Sequence, residues 1–343
     1  MALELSILCQ SPVVEGRTPE LAVRETSELA RVADRLGYRR FWVSEHHNDR
    51  ALAGASPAVL MSHLASVTDR IRIGSGGVLL PHHSPLLIAE QFNLLESLFP
   101  GRIDLGLGRA GGSEGRVAQA LDSRIGRGLP FADVAELRSY LGAGSRARPY
   151  PEVYASPRRE GEAHSAAPPV WILGSSPASA KYAAAKGLPY AFGAFLDPRH
   201  LMEALRTYHQ HFESDATGSS PRVMLAWFAL CAETHQEAIE LAASSELWFI
   251  ETFMRGNNEP FPSRARARAA NYSHGERMVL EMKRQACSVG TAAEVLAQLE
   301  ELGKGLMIDE FMLVSLCADH QARIRSYELL AAANGQRDEA RAG

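Results

Sequence analysis

A short apolar run at residues 41–43 leads directly into polar residues that could do acid–base chemistry. Glu45, His46 and His47 supply a carboxylate and two imidazoles, and Asn48 follows them. The aromatic and β-branched run predicts a buried strand, and parallel α/β proteins bind ligands at the carboxyl ends of such strands. Each polar residue alone could equally be a helix cap or a core histidine. Four of them together at a strand end favour an active site.

Two glycine-rich turns follow the next two predicted strands. Ser75, Gly76 and Gly77 come after the first of these strands, and glycines there let the backbone approach a flat ligand closely. A bulge at a corner of the sheet explains the same residues equally well. Gly108 and Arg109 follow the second strand, and a guanidinium offers a rigid fork of donors that suits a phosphate. This turn has neither the Walker pattern nor the dinucleotide fingerprint.

A cluster of serines follows the strand predicted at residues 170–173. Ser176 can cap a helix that begins with a proline, which leaves the hydroxyls of Ser175, Ser176 and Ser179 at the positive end of that helix. Ordinary helix capping is the simpler explanation of this segment alone. Because Arg109 follows the preceding strand, the two clusters could bind one phosphate together in a barrel.

The composition limits the expected partners and compartment. The chain has 343 residues, 46% of them hydrophobic, and a formal net charge of −4. With this charge and no basic face, we expect neither nucleic acid nor a membrane as a partner. No apolar run is long enough to span a membrane, and the first residues lack the basic region of a signal peptide. The four cysteines are scattered, so we expect them to be reduced in a cytoplasmic protein.

Predicted strands and helices alternate along the chain, as in repeated βαβ units. Eight strands are predicted, at residues 3–9, 41–43, 71–74, 103–107, 170–173, 190–192, 223–231 and 310–314. We therefore expect an α/β fold, a single-domain (β/α)8 TIM barrel over residues 1–343, with a doubly wound open sheet as the alternative. Excursions at about residues 110–168 and 255–285 follow the fourth and seventh strands, the first with a helix near 131–141. Residues 255–277 are rich in arginine and proline, so we expect them to be irregular and mobile.

These motifs resemble a known family, the bacterial-luciferase-like, flavin-dependent monooxygenases. The likeness covers nearly the whole chain. Each motif alone is weak, but their order and spacing together are specific. The matching segments are residues 41–48, 73–81, 85–96, 100–109, 173–176, 187–189 and 289–291.

The resemblance implies a TIM barrel that binds reduced FMN. In this family the flavin reacts with O2 to give a C4a-peroxyflavin, which oxygenates a small organic substrate. The resemblance assigns catalysis to His46, which steers protons, and leaves Glu45 and His47 to hold its position. It also places a non-proline cis peptide at Gly76–Gly77, against the isoalloxazine ring.

The family's phosphate site falls on an arginine and three serines of this chain. The resemblance assigns the FMN phosphate to Arg109 and to hydroxyls after the fifth strand, at Ser175, Ser176 and Ser179. It places Ser75 and Gly108 beside the cofactor as well. No nicotinamide fingerprint is present, so we expect a separate flavin reductase to supply the reduced FMN.

One position departs from bacterial luciferase itself. A reactive cysteine precedes the phosphate-binding arginine in luciferase, and Gly108 stands there in this chain. We therefore do not expect light emission or a long-chain aldehyde substrate. Two alternatives remain open: an oxidoreductase that transfers hydride with the deazaflavin F420, and a flavin-binding protein without catalysis.

The remaining expectations concern metals, assembly and the substrate. The histidines lack the spacing of a zinc site, so no metal is expected. We expect His82 and His83 to be loop residues near the mouth of the cofactor site rather than ligands. Family members are commonly dimers, and we expect a homodimer; the helices predicted at 56–67 and 84–98 offer apolar faces, which barrel packing explains equally well. The family carries its lid where residues 255–277 lie. No residue identifies the substrate.

Overall fold

The computed structural model describes residues 2–108, 115–122, 132–142, 150–157, 167–214 and 218–342. Strands and helices alternate through these residues. The strands are β1 (Leu5–Cys9), β2 (Arg40–Val43), β3 (Arg72–Ser75), β4 (Val78–Leu79), β5 (Ile103–Gly108), β6 (Val170–Gly174), β7 (Tyr190–Gly193), β8 (Val223–Cys231), β9 (Cys287–Gly290) and β10 (Glu310–Val314). The helices are α1 (Pro19–Arg35), α2 (Pro57–Ser66), α3 (Pro85–Leu98), α4 (Arg116–Ala120), α5 (Ala132–Tyr140), α6 (Pro177–Ala185), α7 (Leu201–Gln210), α8 (His235–Phe249), α9 (Arg264–Arg268), α10 (His274–Arg284), α11 (Ala292–Leu306) and α12 (His320–Ala342).

Eight of these strands close a parallel barrel in the order β10, β1, β2, β3, β5, β6, β7, β8. The pairing of β8 with β10, from Met224 opposite Glu310 to Phe228 opposite Val314, completes the ring. Outside the ring, β4 pairs with β5, and β9 pairs with the last residues of β8. The predicted closed barrel is confirmed, and the open-sheet alternative is wrong. Within the described residues, no helix is long and apolar enough to cross a membrane.

Strand β8 shows how the sequence suits a parallel sheet that is covered on both faces. All of its residues are buried. Met224, Ala226 and Phe228 belong to the cluster inside the barrel, whereas Leu225 and Trp227 pack between the strands and the helices. A strand that is buried on both faces needs a continuous apolar sequence rather than an alternating one. The bounds predicted for this strand are therefore confirmed at both ends.

The stretch at 255–277, which we expected to be irregular, is irregular at residues 255–263 and 269–273 but also contains α9 and the start of α10. Ion pairs hold these helices: Arg255 Nε lies 2.6 Å from Glu276 Oε1, and Arg266 Nη2 lies 2.6 Å from Glu251 Oε1. Because the partners are 21 and 15 residues apart, the local pattern does not reveal them.

Two short strands also escape prediction, whereas one predicted helix is found. Strands β4 and β9 have two and four residues, which is too short for a readable period. The helix predicted near residues 131–141 is confirmed as α5. The described parts of both excursions therefore carry more regular structure than their composition indicates.

A buried group of charges joins four strands at the amino-terminal end of the barrel, which we call the barrel floor. Arg40 on β2 is 3% exposed, and its guanidinium lies 2.9 Å from Glu310 Oε1 on β10 and 2.6 Å from Asp104 Oδ2 on β5. Arg72 on β3 binds the other oxygen of Asp104 at 2.6 Å. Trp42 Nε1 donates a hydrogen bond to Asp104 at 3.2 Å. These contacts fix β2, β3, β5 and β10 relative to one another.

Glu310→Ala should lower the free energy of unfolding by about 3 kcal/mol, because it removes one of the two carboxylates that neutralise the buried Arg40. Glu4→Gln is the matched control, since Glu4 pairs with Arg39 and Arg222 at the surface. The control should cost less than about 1 kcal/mol. Urea unfolding of both variants measures the difference. Equal losses would contradict a special role for the buried pairs.

Candidate active site at the carboxyl ends of the strands

The carboxylate of Glu45 binds three donors just beyond β2. Its Oε1 accepts hydrogen bonds from His47 Nε2 and His83 Nε2, both at 2.8 Å, and its Oε2 accepts from the Leu79 N–H at 2.9 Å. Glu45 is buried, and both histidines are partly buried. One side chain therefore ties the loop after β2 to β4 and to the turn that follows β4.

The protonation of Glu45 follows from these contacts. Burial raises the pKa of this carboxyl, but the hydrogen bonds from His83, from the Leu79 N–H and from His47 together outweigh it, and the pKa is lowered below its ordinary value. Glu45 is consequently an anion at neutral pH, and each histidine presents an N–H to it. Three hydrogen bonds hold the carboxylate in one orientation.

His46 differs from its neighbours because its ring has an unused nitrogen. Its Nε2 is buried and has no hydrogen-bond partner among the described residues, whereas its backbone N–H donates to the Gly54 carbonyl at 2.7 Å. Burial lowers the pKa of His46 despite the opposing charges of Asp49 and Glu45. The ring is thus neutral at neutral pH. Its Nε2 is one of several buried side-chain atoms without a partner among the described residues, and an imidazole nitrogen of this kind can exchange a proton with a bound molecule.

The turn after β3 contains a cis peptide bond between Gly76 and Gly77. Both residues are tightly surrounded. A Cβ on Gly76 would lie 2.7 Å from Leu8 Cδ1, and a Cβ on Gly77 would lie 2.8 Å from the Gly106 carbonyl oxygen. The neighbouring backbone therefore requires glycine at Gly77, whether or not a ligand is bound, whereas a side chain at Gly76 would have to displace the end of the Leu8 side chain.

Ser75 holds the same turn from inside. Its hydroxyl donates to the Gly106 carbonyl at 2.9 Å and accepts from the Gly106 N–H at 3.0 Å, and the residue is fully buried. The side chain is therefore committed to β5. Gly108, the last residue of β5, pairs with Leu79, whose N–H binds Glu45. The structure thus brings Glu45, Leu79 and Gly108 together. Arg109, the predicted phosphate ligand, lies outside the described residues.

The predicted serine cluster lies at the first turn of α6. Ser176 caps the helix by accepting from the Ser179 N–H at 3.4 Å. The Ser179 hydroxyl is buried, donates to the Ser176 carbonyl at 2.8 Å and lies 3.0 Å from Tyr190 Oη. Ser175 and Ser176 are only half-buried. Of the three hydroxyls, those of Ser175 and Ser176 are therefore better placed to meet an anion.

The segment after α8 covers the loop that carries His46. The Asn258 side chain donates to the Asn48 carbonyl at 2.6 Å and accepts from the Arg50 N–H at 2.9 Å. Phe261 donates its N–H to the Val13 carbonyl at 2.8 Å. Residues of this excursion therefore contact the loops after β1 and β2.

Sequence reasoning missed the role of two histidines in this site. His83 was expected only as a loop residue near the mouth, yet it binds Glu45. The ring of His82 meets that of His47 edge to face, with centroids 5.5 Å apart. The available signal was the pair of adjacent histidines after a glycine turn. Within the described residues, no group of three or more histidine, cysteine or acidic side chains is placed to hold a metal ion.

The family model of the luciferase-like monooxygenases matches residues 3–310. An uncharacterised Bacillus subtilis protein, YwcH, is 41% identical over 332 residues, which cover 96% of this chain and 98% of the relative. A luciferase-like monooxygenase of Escherichia coli K12 is 36% identical, covering 95% of this chain and 96% of the relative. The N-acetyl-S-alkylcysteine monooxygenase of Bacillus subtilis is 33% identical, covering 96% of this chain and 97% of the relative.

Several solved structures are also similar to this chain. Apo-MsnO8 superposes with a TM-score of 0.84 at 36% identity, covering 97% of this chain and 98% of the other. The oxygenating constituent of 3,6-diketocamphane monooxygenase from Pseudomonas putida, in complex with FMN, has a TM-score of 0.70 at 17% identity, with 96% and 97% covered. An F420-dependent secondary alcohol dehydrogenase has a TM-score of 0.66 at 16% identity, with 96% and 98% covered. The last two share the fold.

The lowered pKa of His46 predicts how stability depends on pH. The unfolded chain takes up this proton near pH 6.5, and the folded chain does so only at lower pH. The free energy of unfolding should therefore fall as the pH drops below 6.5, by up to about 1.4 kcal/mol per pH unit for this group. Burial also lowers the pKa of His82 and His320, which add slopes of the same sign.

His46→Asn should remove the contribution of His46, so that the variant loses less stability than the wild type between neutral pH and pH 5. Ser44→Ala is the control, because it removes a buried hydroxyl two residues away without removing a titrating group. Urea unfolding at several pH values gives the slopes. Parallel curves for wild type and His46→Asn would refute the buried neutral histidine.

Proposed function

The chain belongs to the luciferase-like monooxygenase family, and we propose that it is a monooxygenase that uses reduced FMN. One atom of O2 is transferred to a small organic substrate, and the other leaves as water with the two electrons and two protons of the reduced flavin. The observation that carries this proposal is the buried His46 ring, whose Nε2 has no partner among the described residues. Such a group can move a proton in a site that excludes bulk water.

The residues at the strand ends have the donor chemistry that FMN needs. The half-buried Ser175 and Ser176 at the amino terminus of α6 suit a phosphate, and Arg109 would add a guanidinium. The turn at Gly76–Gly77 would lie against the ring system, with Ser75 and Gly108 as its support on β3 and β5. Ser179 would hold the serine cap in place rather than bind the phosphate directly, because its own hydroxyl is already bonded.

The acid–base residues have separate roles in this proposal. His46 would accept and return a proton at the reacting atoms through Nε2, and it is neutral at rest. Glu45 would act as a positioning residue, since its oxygens are bonded to His47, His83 and Leu79. When bound, reduced FMN supplies the electrons that activate O2. The protein supplies orientation and a dry pocket.

The solved structures of similar fold include enzymes that use two different cofactors, and both must be tested. One solved neighbour is a complex with FMN, and another is an F420-dependent enzyme. We favour FMN because relatives above 30% identity are named monooxygenases. We also propose that a separate flavin reductase supplies the reduced FMN. Hydride transfer with F420 is the second candidate.

A surface groove between α2 and α3 is the basis for a proposed homodimer. Its apolar lining includes Val59, Leu94 and Leu98, which are 72%, 53% and 56% exposed. Large exposed apolar side chains grouped on neighbouring helices commonly mark a protein interface. Sedimentation velocity of the wild type and of Leu94→Asp tests this: a wild type that is already monomeric at micromolar concentration would refute it.

Anaerobic titration should show that the protein binds reduced FMN more tightly than reduced F420. Arg109→Ala should weaken the binding of FMN by about tenfold or more and should hardly change the binding of riboflavin, because riboflavin lacks the phosphate that the guanidinium would bind. Flavin fluorescence or calorimetry measures these constants. Tighter binding of F420 would favour hydride transfer instead. Equal losses for FMN and riboflavin would show that Arg109 does not bind the phosphate.

His46→Ala should leave the dissociation constant of FMN within about twofold but lower the yield of oxygenated product by about 100-fold, the range of one general acid–base group. Hydrogen peroxide should replace the lost product. Single-turnover mixing of the reduced complex with O2, followed by mass spectrometry and a peroxide assay, measures both. Unchanged product would remove His46 from the mechanism. If the wild type oxygenates no compound from a panel of thioethers and ketones, a flavin carrier without catalysis is favoured instead.

A further inference from the structure

Lys283 lies at the carboxyl ends of the strands, in the last turn of α10. Its Nζ is 3.4 Å from the Phe195 carbonyl oxygen and 4.4 Å from the centre of the Phe249 ring. Phe195 follows β7, and its N–H donates to the Ala226 carbonyl of β8. The strand β9 begins four residues after Lys283 and pairs with the end of β8. The ammonium group is therefore placed above β7 and β8, at the mouth of the barrel.

Within the part of the chain that the structure describes, this lysine forms no ion pair, unlike most cations around it. The paired cations of the same excursion bind glutamates, namely Arg255, Arg264, Arg266, Arg268 and Arg284. Among the described residues, no carboxylate lies within ion-pair distance of Lys283. Arg277 on the same helix also lacks one, but it is exposed to water. Lys283 is half-buried, and burial lowers the pKa of its ammonium despite the opposing Cys287 and Glu246.

The ring that lies against the Lys283 ammonium is apolar, and residues next to its contacts in the chain pack toward the interior of the barrel. Phe195, Trp248 and Cys287 are partly buried and pack against the cluster inside the barrel. Phe249 also contacts Phe253, with ring centroids 5.2 Å apart. One carbonyl oxygen and one ring face leave part of the hydrogen-bonding capacity of an ammonium group unused. A half-buried charge in such surroundings is stabilised when an anion binds it.

We propose that Lys283 binds an anionic group of the substrate, a carboxylate, and that the substrates are small organic acids with an apolar, oxidisable remainder. This proposal rests on the proposed monooxygenase function, since it assigns the mouth of the barrel to the substrate. The aromatic side chains beside Lys283 would contact the apolar part. Lys283 is then a specificity-determining residue and takes no part in oxygen transfer.

The test compares acids with their neutral amides. The probes are N-acetyl-S-benzylcysteine, 4-(methylthio)benzoate and octanoate, each paired with its primary carboxamide. Calorimetry without flavin gives their dissociation constants for the wild type, Lys283→Met, Lys283→Arg and Arg277→Met. Arg277→Met removes the same charge from the same helix but at an exposed position. Circular dichroism and FMN titration show that each variant is folded.

The wild type should bind at least one acid about tenfold more tightly than its amide, as expected for a charge-assisted contact. Lys283→Met should reduce this preference to less than about twofold, Lys283→Arg should retain part of it, and Arg277→Met should leave it unchanged. With an acid that is oxidised, Lys283→Met should raise KM by about tenfold and leave kcat within about twofold.

Three outcomes would overturn the proposal: no acid preference in the wild type, the same preference in Lys283→Met, or no binding of any probe at millimolar concentration. If the protein binds the acids through Lys283 but does not bind FMN and forms no oxygenated product, the proposed function is refuted and the anion site stands. If the protein oxygenates only neutral probes, the anion site is refuted and the proposed function stands.

Discussion

The barrel depends on a guanidinium that is buried at its floor and neutralised from two sides. Arg40 binds Glu310 and Asp104, so that strands β2, β5 and β10 must meet in one register. Arg222, the residue before β8, adds a further contact, with its Nη2 3.3 Å from Glu310 Oε2. Burying such charges is costly, and removing one of them is costlier still. The network therefore constrains how these strands meet beneath a core of apolar residues.

This floor reaches the candidate active site through Trp42. The indole N–H is bound to Asp104, which fixes the ring inside the barrel. A Cβ on Gly74 would lie 2.3 Å from Trp42 Nε1, and one on Gly76 would lie 3.2 Å from Trp42 Cε3. The ring thus excludes a side chain at Gly74 and crowds one at Gly76. Packing against Trp42 inside the barrel consequently helps to determine the shape of the Gly76–Gly77 turn, in addition to any ligand at the mouth.

The sequence predicts those features whose cause lies within a few residues. The buried strand β8 and the serine cap of α6 are of this kind, because continuous apolar residues and a capping serine are local signals. The contact between His83 and Glu45 spans 38 residues, and no local period reveals it. The cis bond at Gly76–Gly77 followed from the family resemblance, since the glycines alone fit a bulge equally well. The binding roles of the site residues stay predictions.

The two ends of the barrel are held by ion pairs of different strength. At the floor, Arg40, Asp104 and Glu310 are almost completely buried, so salt screens them little. At the mouth, Arg268 and Arg284 pair with glutamates while remaining largely exposed, and such pairs contribute about 0–1 kcal/mol each. The excursion after β8 is also attached by apolar packing, since Phe261 and Leu280 are almost completely buried. Because Lys283 belongs to this excursion, an anion that binds it would add a further contact at the mouth of the barrel.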